Sequence, residues 1–328
     1  LTSFLAVSTS ARLCGVFLTS LKIKNIDLII TTSPPSFASF SGYIISKLKK
    51  AQLVYDVRGI WPDVAIEMGD LKEDSFYTKL FSFITNFMCR KADLITTVSP
   101  GKVKKLTERV YPQEKNKVKL VSNGFNRRVT NGVIFPDLIE KFDLQNKFSC
   151  VYIGNVGLAQ GLDVVIDIAS RTKHNDVQFL IFGDGADKER LVDMVKIKKV
   201  NNIKFCGTIE HENVYTILKN AKMSIIPLKN SNLKDSIPTK LYESLGLGCP
   251  VFLIAEGDSV NILQESRLGV SVSPDNTDRI IFEFDNFVSK YDEFVCYRDE
   301  AMQLMDLKFS RQSVSVDFER QLKQLISL

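Results

Sequence analysis

The stretch Ser236-Ile-Pro-Thr-Lys-Leu-Tyr-Glu-Ser-Leu-Gly-Leu-Gly-Cys-Pro-Val251 reads as the start of a short helix with charged residues gathered around it. Asp235 stands just before it, Glu243 lies eight positions further on, and Lys240 falls between them. Pro238 suits a first helical turn, where its missing N–H costs nothing. The unpaired backbone N–H groups of such a turn, with the helix dipole, favour an anion. Lys240 adds a point charge suited to phosphate. Ionised carboxylates only accept hydrogen bonds, so Asp235 and Glu243 suit a hydroxyl-rich partner such as ribose or hexose. Together these groups could hold a sugar attached to a diphosphate. The same residues also fit an ordinary capped helix, with Asp235 or Ser236 as the cap and Glu243 solvated.

Other segments offer matching chemistry. Tyr152-Ile-Gly-Asn-Val-Gly-Leu-Ala-Gln-Gly161 is a glycine-rich loop between a strand and a helix. Gly154, Gly157 and Gly161 let backbone approach a phosphate closely, though their spacing is neither a P-loop nor GxGxxG. Gly183-Asp-Gly185 is a second tight turn at a strand end. Both loops fall at carboxyl ends of strands, where open α/β sheets bind ligands. In the first half, Asp56-Val-Arg-Gly-Ile-Trp-Pro-Asp63 follows a strand. There Arg58 could reach a phosphate, and Asp56 or Asp63 could orient an acceptor hydroxyl. An Asp–Arg ion pair with Trp61 plugging the loop is the alternative.

The elements that position these groups alternate. Apolar runs at residues 26–31, 52–57, 93–98 and 118–122 read as strands, and residues 36–49, 74–91 and 99–110 have helical spacing. This is the pattern of parallel βαβ units. Residues 125–147 are polar and weakly periodic and read as a linker, after which the pattern restarts. Strands are expected at 150–154, 177–182, 203–206, 223–227, 250–255 and 269–272, and helix over 275–328. The chain starts at Leu1 with a helix-like segment, and four strands is few for a doubly wound domain, so the first βα units are expected to be missing.

The 328 residues are 45% hydrophobic and 25% charged, enough for two domains with large cores. No apolar run approaches the ~20 residues of a spanning helix. The six cysteines (Cys14, Cys89, Cys150, Cys206, Cys249, Cys296) show no CxxC spacing and are expected to be reduced thiols. His174 and His211 are the only histidines, and both are read as surface helix-end residues. A histidine-based triad or metal cluster is thereby disfavoured, as is an epimerase of similar two-domain fold. Residues 1–145 carry a net +8 and the remainder −3. The excess, much of it in Arg90-Lys91 and between Lys102 and Lys119, suggests an anionic partner (membrane surface, nucleic acid or phosphorylated acceptor) or else a solvated helix face. Phe76 to Met88 adds an aromatic stripe that could lie in a membrane interface or in a core.

The strings DVRGIWPDVAIEMG, ADLITTVS, VSNGFN, YIGNVGLAQGL, IFGDG and IPTKLYESLGLGCPV, in that order, resemble family 4 glycosyltransferases. The likeness is to the bacterial branch that builds O-antigen, capsule and colanic-acid-like polysaccharides, and it runs from about Ile26 to the C-terminal helix. It implies an α/β GT-B fold: an acceptor domain over 1–140, a nucleotide-sugar domain over 141–308, a cleft between them and a crossover helix over 309–328. It implies retaining transfer from a nucleotide diphosphate-sugar, UDP-sugar by preference, to a lipid-diphosphate-linked saccharide. No cofactor or metal and no nucleic acid are expected, and the location implied is cytoplasmic, peripheral on the inner face of the membrane. Asp235 and Glu243 match the family's paired acids, Glu243 for the donor ribose and Asp235 for the sugar hydroxyls. Lys240, with Leu241 beside it, matches the diphosphate position. Asn155 and Gln160 stand where many members have Arg and Lys, so phosphate binding would lean on loop amides and Lys240, with Arg58 assisting across the cleft. Gly59 stands where related chains have an acid, which leaves the base unassigned. A binding subunit or inactive fragment without transfer is the alternative that the expected truncation raises.

Overall fold

The computed structural model describes residues 19–20, 22–126 and 132–326. The helix-like entry and Cys14 lie outside these, as does part of the expected linker. The chain forms two compact units: residues up to Ser122 together with those from Val316 on, and Asn123–Ser315.

In the first unit, strands β1 (Leu28–Ser33), β2 (Gln52–Val57), β3 (Leu94–Thr97) and β4 (Val118–Leu120) form a parallel sheet in that order. Ile30 stands opposite Val54, and Tyr55 opposite Ile95. Leu53 to Val57 are all buried, as expected of a parallel strand covered on both faces. The connections carry α1 (Ser36–Lys49), α2 (Asp63–Met68), α3 (Phe76–Lys91) and α4 (Pro100–Thr107). Two of these starts follow from local chemistry. The Ser75 hydroxyl accepts from the Thr78 N–H at 3.1 Å, and the Ser99 hydroxyl from the Lys102 N–H at 3.4 Å, with Pro100 in the first turn.

The second unit is a six-stranded parallel sheet of β5 (Phe148–Ile153), β6 (Val177–Phe182), β7 (Ile203–Gly207), β8 (Met223–Pro227), β9 (Val251–Ile254) and β10 (Gly269–Val272). Its spatial order is β10-β9-β8-β5-β6-β7, so the winding reverses between β5 and β8, where Cys150 pairs with Met223. Around it run α5 (Pro136–Lys141), α6 (Asp163–Arg171), α7 (Lys188–Lys198), α8 (His211–Asn220), α9 (Thr239–Gly246) and α10 (Asp258–Ser266). They are followed by α11 (Thr277–Ser289), α12 (Tyr291–Val295) and α13 (Arg298–Phe309), while α14 (Arg311–Ile326) starts in this unit and from Val316 on belongs to the first. One apolar core centres on Phe179, Phe252, Phe284 and Phe287, and another on Phe142, Phe182 and Ile217.

Three expectations change. The region expected as linker contains helix α5, and the stretch expected as helix over 275–328 is broken at Lys290 and near Cys296 besides the helix start expected at Phe309-Ser-Arg. The second unit begins at Asn123 rather than near 140, and it extends to Ser315 rather than 308. Phe125 explains both boundaries. It is 2% exposed, its N–H donates to the Phe309 carbonyl at 3.0 Å, and its carbonyl accepts from the Arg311 N–H at 3.0 Å. The five cysteines among the described residues are all free thiols.

Phe284 is fully buried, with its ring 5.5 Å from the rings of both Phe179 and Phe252. Phe284→Ala should destabilise the second unit by about 3–5 kcal/mol, read as a lower urea midpoint by circular dichroism.

Candidate functional site

At the carboxyl ends of the second sheet, a cavity of about 640 Å³ lies beside the point where strand order reverses. One wall is the end of β5 and its loop, with Gly154, Asn155 and Gln160. Another is the start of α9, with Pro238, Thr239, Lys240 and, one turn on, Glu243. The turn after β6 contributes Gly183 and Asp184, and the segment after β7 contributes Thr208, Ile209 and His211. The structure thus brings together Gly154, Asn155, Gln160, Gly183, Lys240 and Glu243 from the sequence-derived candidates.

The glycines have a packing reason. Gly183 has φ +138°, and a Cβ there would lie 1.9 Å from the Gly154 carbonyl oxygen, so the two strand-end turns meet backbone to backbone. Gly157, Gly161 and Gly185 shape the same loops without lining the cavity. The loop amides are already engaged. Gly154 N–H donates to the Phe182 carbonyl (2.9 Å), Val156 N–H to the Asp184 carbonyl (2.8 Å), and Gly157 N–H to the Gln160 side-chain oxygen (3.1 Å). These three amides therefore serve the loop and its neighbouring turn, and Lys240 with the first turn of α9 forms the cationic wall.

Lys240 reaches across this wall to β5. Its ammonium donates to the Tyr152 hydroxyl at 2.7 Å and lies 4.1 Å from the centre of that ring. Burial pushes its pKa down to about 8, against the pull of the Glu243 charge in the other direction. Glu243 is raised above the ordinary carboxylate range, chiefly by burial, while His211, Arg311 and Lys240 act to lower it. Leu241 is fully buried behind the helix, and Asp235 is 6% exposed and does not line the cavity. Among the described residues, no group of three or more His, Cys, Asp and Glu is placed to hold a metal ion.

Two groups of the site escaped the sequence reading, His211 in the cavity lining and Tyr152 buried behind it. His211 is at a helix end and exposed, as expected, yet that end borders the cavity and its charge acts on Glu243. Tyr152 carried no signal beyond its place next to a strand-end glycine. The strand at 203–206 was legible, and its following loop could have been read as a third cavity edge.

The candidates of the first unit sit in ion pairs. Arg58 Nε donates to Asp56 at 2.9 Å, and Asp56 also accepts from the Thr96 hydroxyl at 2.9 Å. Asp63 takes both its hydrogen bonds from Arg109, at 2.6 and 2.7 Å, so its carboxylate is committed to that guanidinium rather than open to an acceptor hydroxyl. Trp61 packs edge-on against Phe81 at 5.5 Å. Much of the basic run is neutralised too: Lys105 pairs with Glu67 and Lys117 with Glu114, while Lys102 is only 5% exposed.

Residues 135–294 match the family described as Glycosyl transferases group 1, a span that includes every strand of the second sheet. The chain is 24% identical over 271 residues to Escherichia coli K12 WcaI, named as a colanic acid biosynthesis glycosyl transferase, covering 78% of this chain and 64% of that one. It therefore spans just under two thirds of that relative's length. It is 22% identical over 278 residues to the Pseudomonas aeruginosa protein WbjE, named as a glycosyltransferase, covering 81% and 68%. Among solved structures, Anabaena Alr3699/HepE in complex with UDP-glucose superposes with a TM-score of 0.77 at 15% identity, covering 95% of this chain and 82% of that one. Sucrose-phosphate synthase from Thermosynechococcus elongatus does so with a TM-score of 0.76 at 14% identity, covering 92% and 74%. The fold is GT-B, with two Rossmann-like parallel-sheet domains. The match to group 1 glycosyl transferases falls within the second unit.

Both charged groups at the cavity cost stability at neutral pH. A raised carboxyl favours folding at acid pH, an advantage lost as pH rises through its folded value. A depressed lysine penalises folding below about 8, and the penalty fades toward its ordinary 10.5. Glu243→Gln and Lys240→Met should each raise the melting temperature at pH 7. The Glu243→Gln gain should vanish at acid pH and the Lys240→Met gain above pH 10, as followed by differential scanning fluorimetry.

Proposed function

We propose that the protein transfers a sugar from a nucleotide diphosphate-sugar, a UDP-sugar, to a lipid-diphosphate-linked saccharide in the synthesis of a surface polysaccharide such as O-antigen or capsule, with retention of configuration. The observation that carries this reading is Lys240, held at the first turn of α9 over the Gly154 turn with Glu243 one helical turn away, at the switch point of the sheet within the group 1 glycosyl transferases match. A structural neighbour that binds UDP-glucose and relatives named for glycosyl transfer and colanic acid synthesis support it.

In this reading Glu243 accepts hydrogen bonds from the ribose, and Lys240 and the first-turn amides of α9 meet the diphosphate, while Asp235, buried and outside the cavity lining, does not take the sugar-hydroxyl role expected of it. Charge builds on the diphosphate as the glycosidic bond breaks, and preorganised donors there are the largest lever on rate. A leaving-group oxygen then takes the acceptor proton on the same face, which preserves configuration. No metal is required in this scheme, so EDTA should leave the rate unchanged. Glu243→Ala should lower product formation from a panel of UDP- and GDP-sugars at least 100-fold with an unchanged circular dichroism spectrum. Near-normal turnover would sink the assignment. Donor binding with no product from any acceptor would instead favour a nucleotide-sugar-binding subunit.

The acceptor reading rests on a face of the first unit. Phe37, Phe40, Ile44 and Leu48 on α1 are 37–59% exposed, and Phe76, Tyr77 and Phe83 on α3 are 62–74% exposed. The ring of Phe87 joins the two helices, lying 5.8 Å from Phe40 and 6.4 Å from Phe83. Exposed Lys47 and Lys79 lie on the same helices. Among the described residues no helix is long and apolar enough to cross a membrane. This face suits peripheral attachment, aromatics in the interface and lysines worth roughly 1 kcal/mol each near anionic headgroups. The location proposed is the inner face of the cytoplasmic membrane. Replacing Phe37 and Phe83 together by Ser should cut co-sedimentation with anionic liposomes about tenfold. Binding insensitive to salt, to anionic lipid and to this double change would argue against the surface.

A further inference from the structure

Tyr152 is the last-but-one residue of β5, fully buried, opposite Ile181 of β6, with its side chain turned toward α9. Its hydroxyl has two neighbours with complementary needs. The O–H donates to the Asn155 carbonyl at 2.6 Å, and the oxygen accepts from the Lys240 ammonium at 2.7 Å. Burial holds the phenol well above its ordinary pKa, so that proton stays in place and the oxygen's lone pairs remain directed at Lys240. The ring adds a second attraction, its centre 4.1 Å from the ammonium. On the other side there is only glycine: a Cβ at Gly154 would lie 3.1 Å from Lys240 Cε and 3.2 Å from Nζ. The ammonium thus rests in a seat made by a tyrosine and a bare turn.

We propose that Tyr152 is the positioning residue of the donor site, keeping the Lys240 ammonium charged and aimed into the cavity before a diphosphate arrives. This rests on the reading of Lys240 as a diphosphate ligand. An ammonium has three N–H donors, and Tyr152 takes one, so the cation can turn to a phosphate without leaving its seat. Without the hydroxyl, the desolvated ammonium keeps only the ring and the field of its neighbours. Those neighbours are Glu243 on its own helix, His211 at the start of α8 and Asp184 in the turn after β6, and the Asp184 carboxylate is itself bonded to Lys188 and the Gly185 N–H. An anion binding beside Lys240 favours the charged form, so binding takes up a proton wherever the lysine has begun to titrate.

Calorimetric titration of UDP and GDP between pH 7.5 and 8.8, in buffers of different ionisation enthalpy, tests this above the range in which the terminal phosphate itself titrates (about pH 6) and below that in which the base N–H ionises. The wild-type protein should lose affinity as pH rises past about 8, with up to one proton taken up per nucleotide bound. Tyr152→Phe, which keeps the ring, should bind about tenfold more weakly at pH 7.5 and begin its loss at lower pH. Tyr152→Leu should shift the profile further. Lys240→Met should bind weakly with a flat profile. If Lys240→Met behaves as expected while both Tyr152 variants keep the wild-type affinity and profile, the positioning role is overturned and the donor site stands. If Lys240→Met binds as tightly as wild type, or if the wild-type protein binds neither nucleotide, the donor-site reading falls and this inference with it.

Discussion

Strands β5 and β8 lie side by side, and the chain leaves them in opposite directions across the sheet. The loops that follow them cannot cover the same ground, and a crevice opens above the carboxyl ends at that point. Everything at the site descends from this reversal. It sets the β5 glycine turn opposite the start of α9, brings the β6 and β7 turns round as further edges, and puts Lys240 within reach of a β5 tyrosine. The apolar cores on the two faces of the sheet, built on Phe179, Phe252 and Phe284 on one side and Phe142 and Phe182 on the other, hold those edges still.

Sequence reasoning works here where the cause is local. Ser75 and Ser99 cap helices where a serine precedes helical spacing, and the strands of both sheets follow their apolar runs. The glycine turns, Lys240 and Glu243 could be placed at strand and helix ends for the same reason. What was illegible depends on partners far along the chain. Arg109 and Asp63 are 46 residues apart, Lys105 and Glu67 38 apart, so a run of basic residues looks like an open cationic surface until its carboxylates are found. Phe125 belongs to the second unit because of Phe309 and Arg311, which no local pattern discloses. The helix start near Phe309 was legible, but the breaks at Lys290 and near Cys296 were not.

The same distinction separates structural charges from functional ones. Asp63 has both oxygens on one guanidinium, and such a carboxylate is satisfied where it stands. Glu243 and Lys240 are treated differently. Each is drawn partly out of water, and among the described residues neither has a direct ion-pair partner, so Glu243 is raised and Lys240 depressed relative to their ordinary values. A fold gains nothing from that arrangement, and apolar residues of similar size would serve the core better. Opposed shifts within one helical turn, facing a cavity, are what remains when a protein keeps charge poised for a partner that supplies the missing hydrogen bonds. A diphosphate would complete the hydrogen bonding of Lys240, and a ribose would complete that of Glu243. The two unfavourable burials in α9 are thus one feature, and under the proposed function a bound nucleotide diphosphate-sugar would balance both.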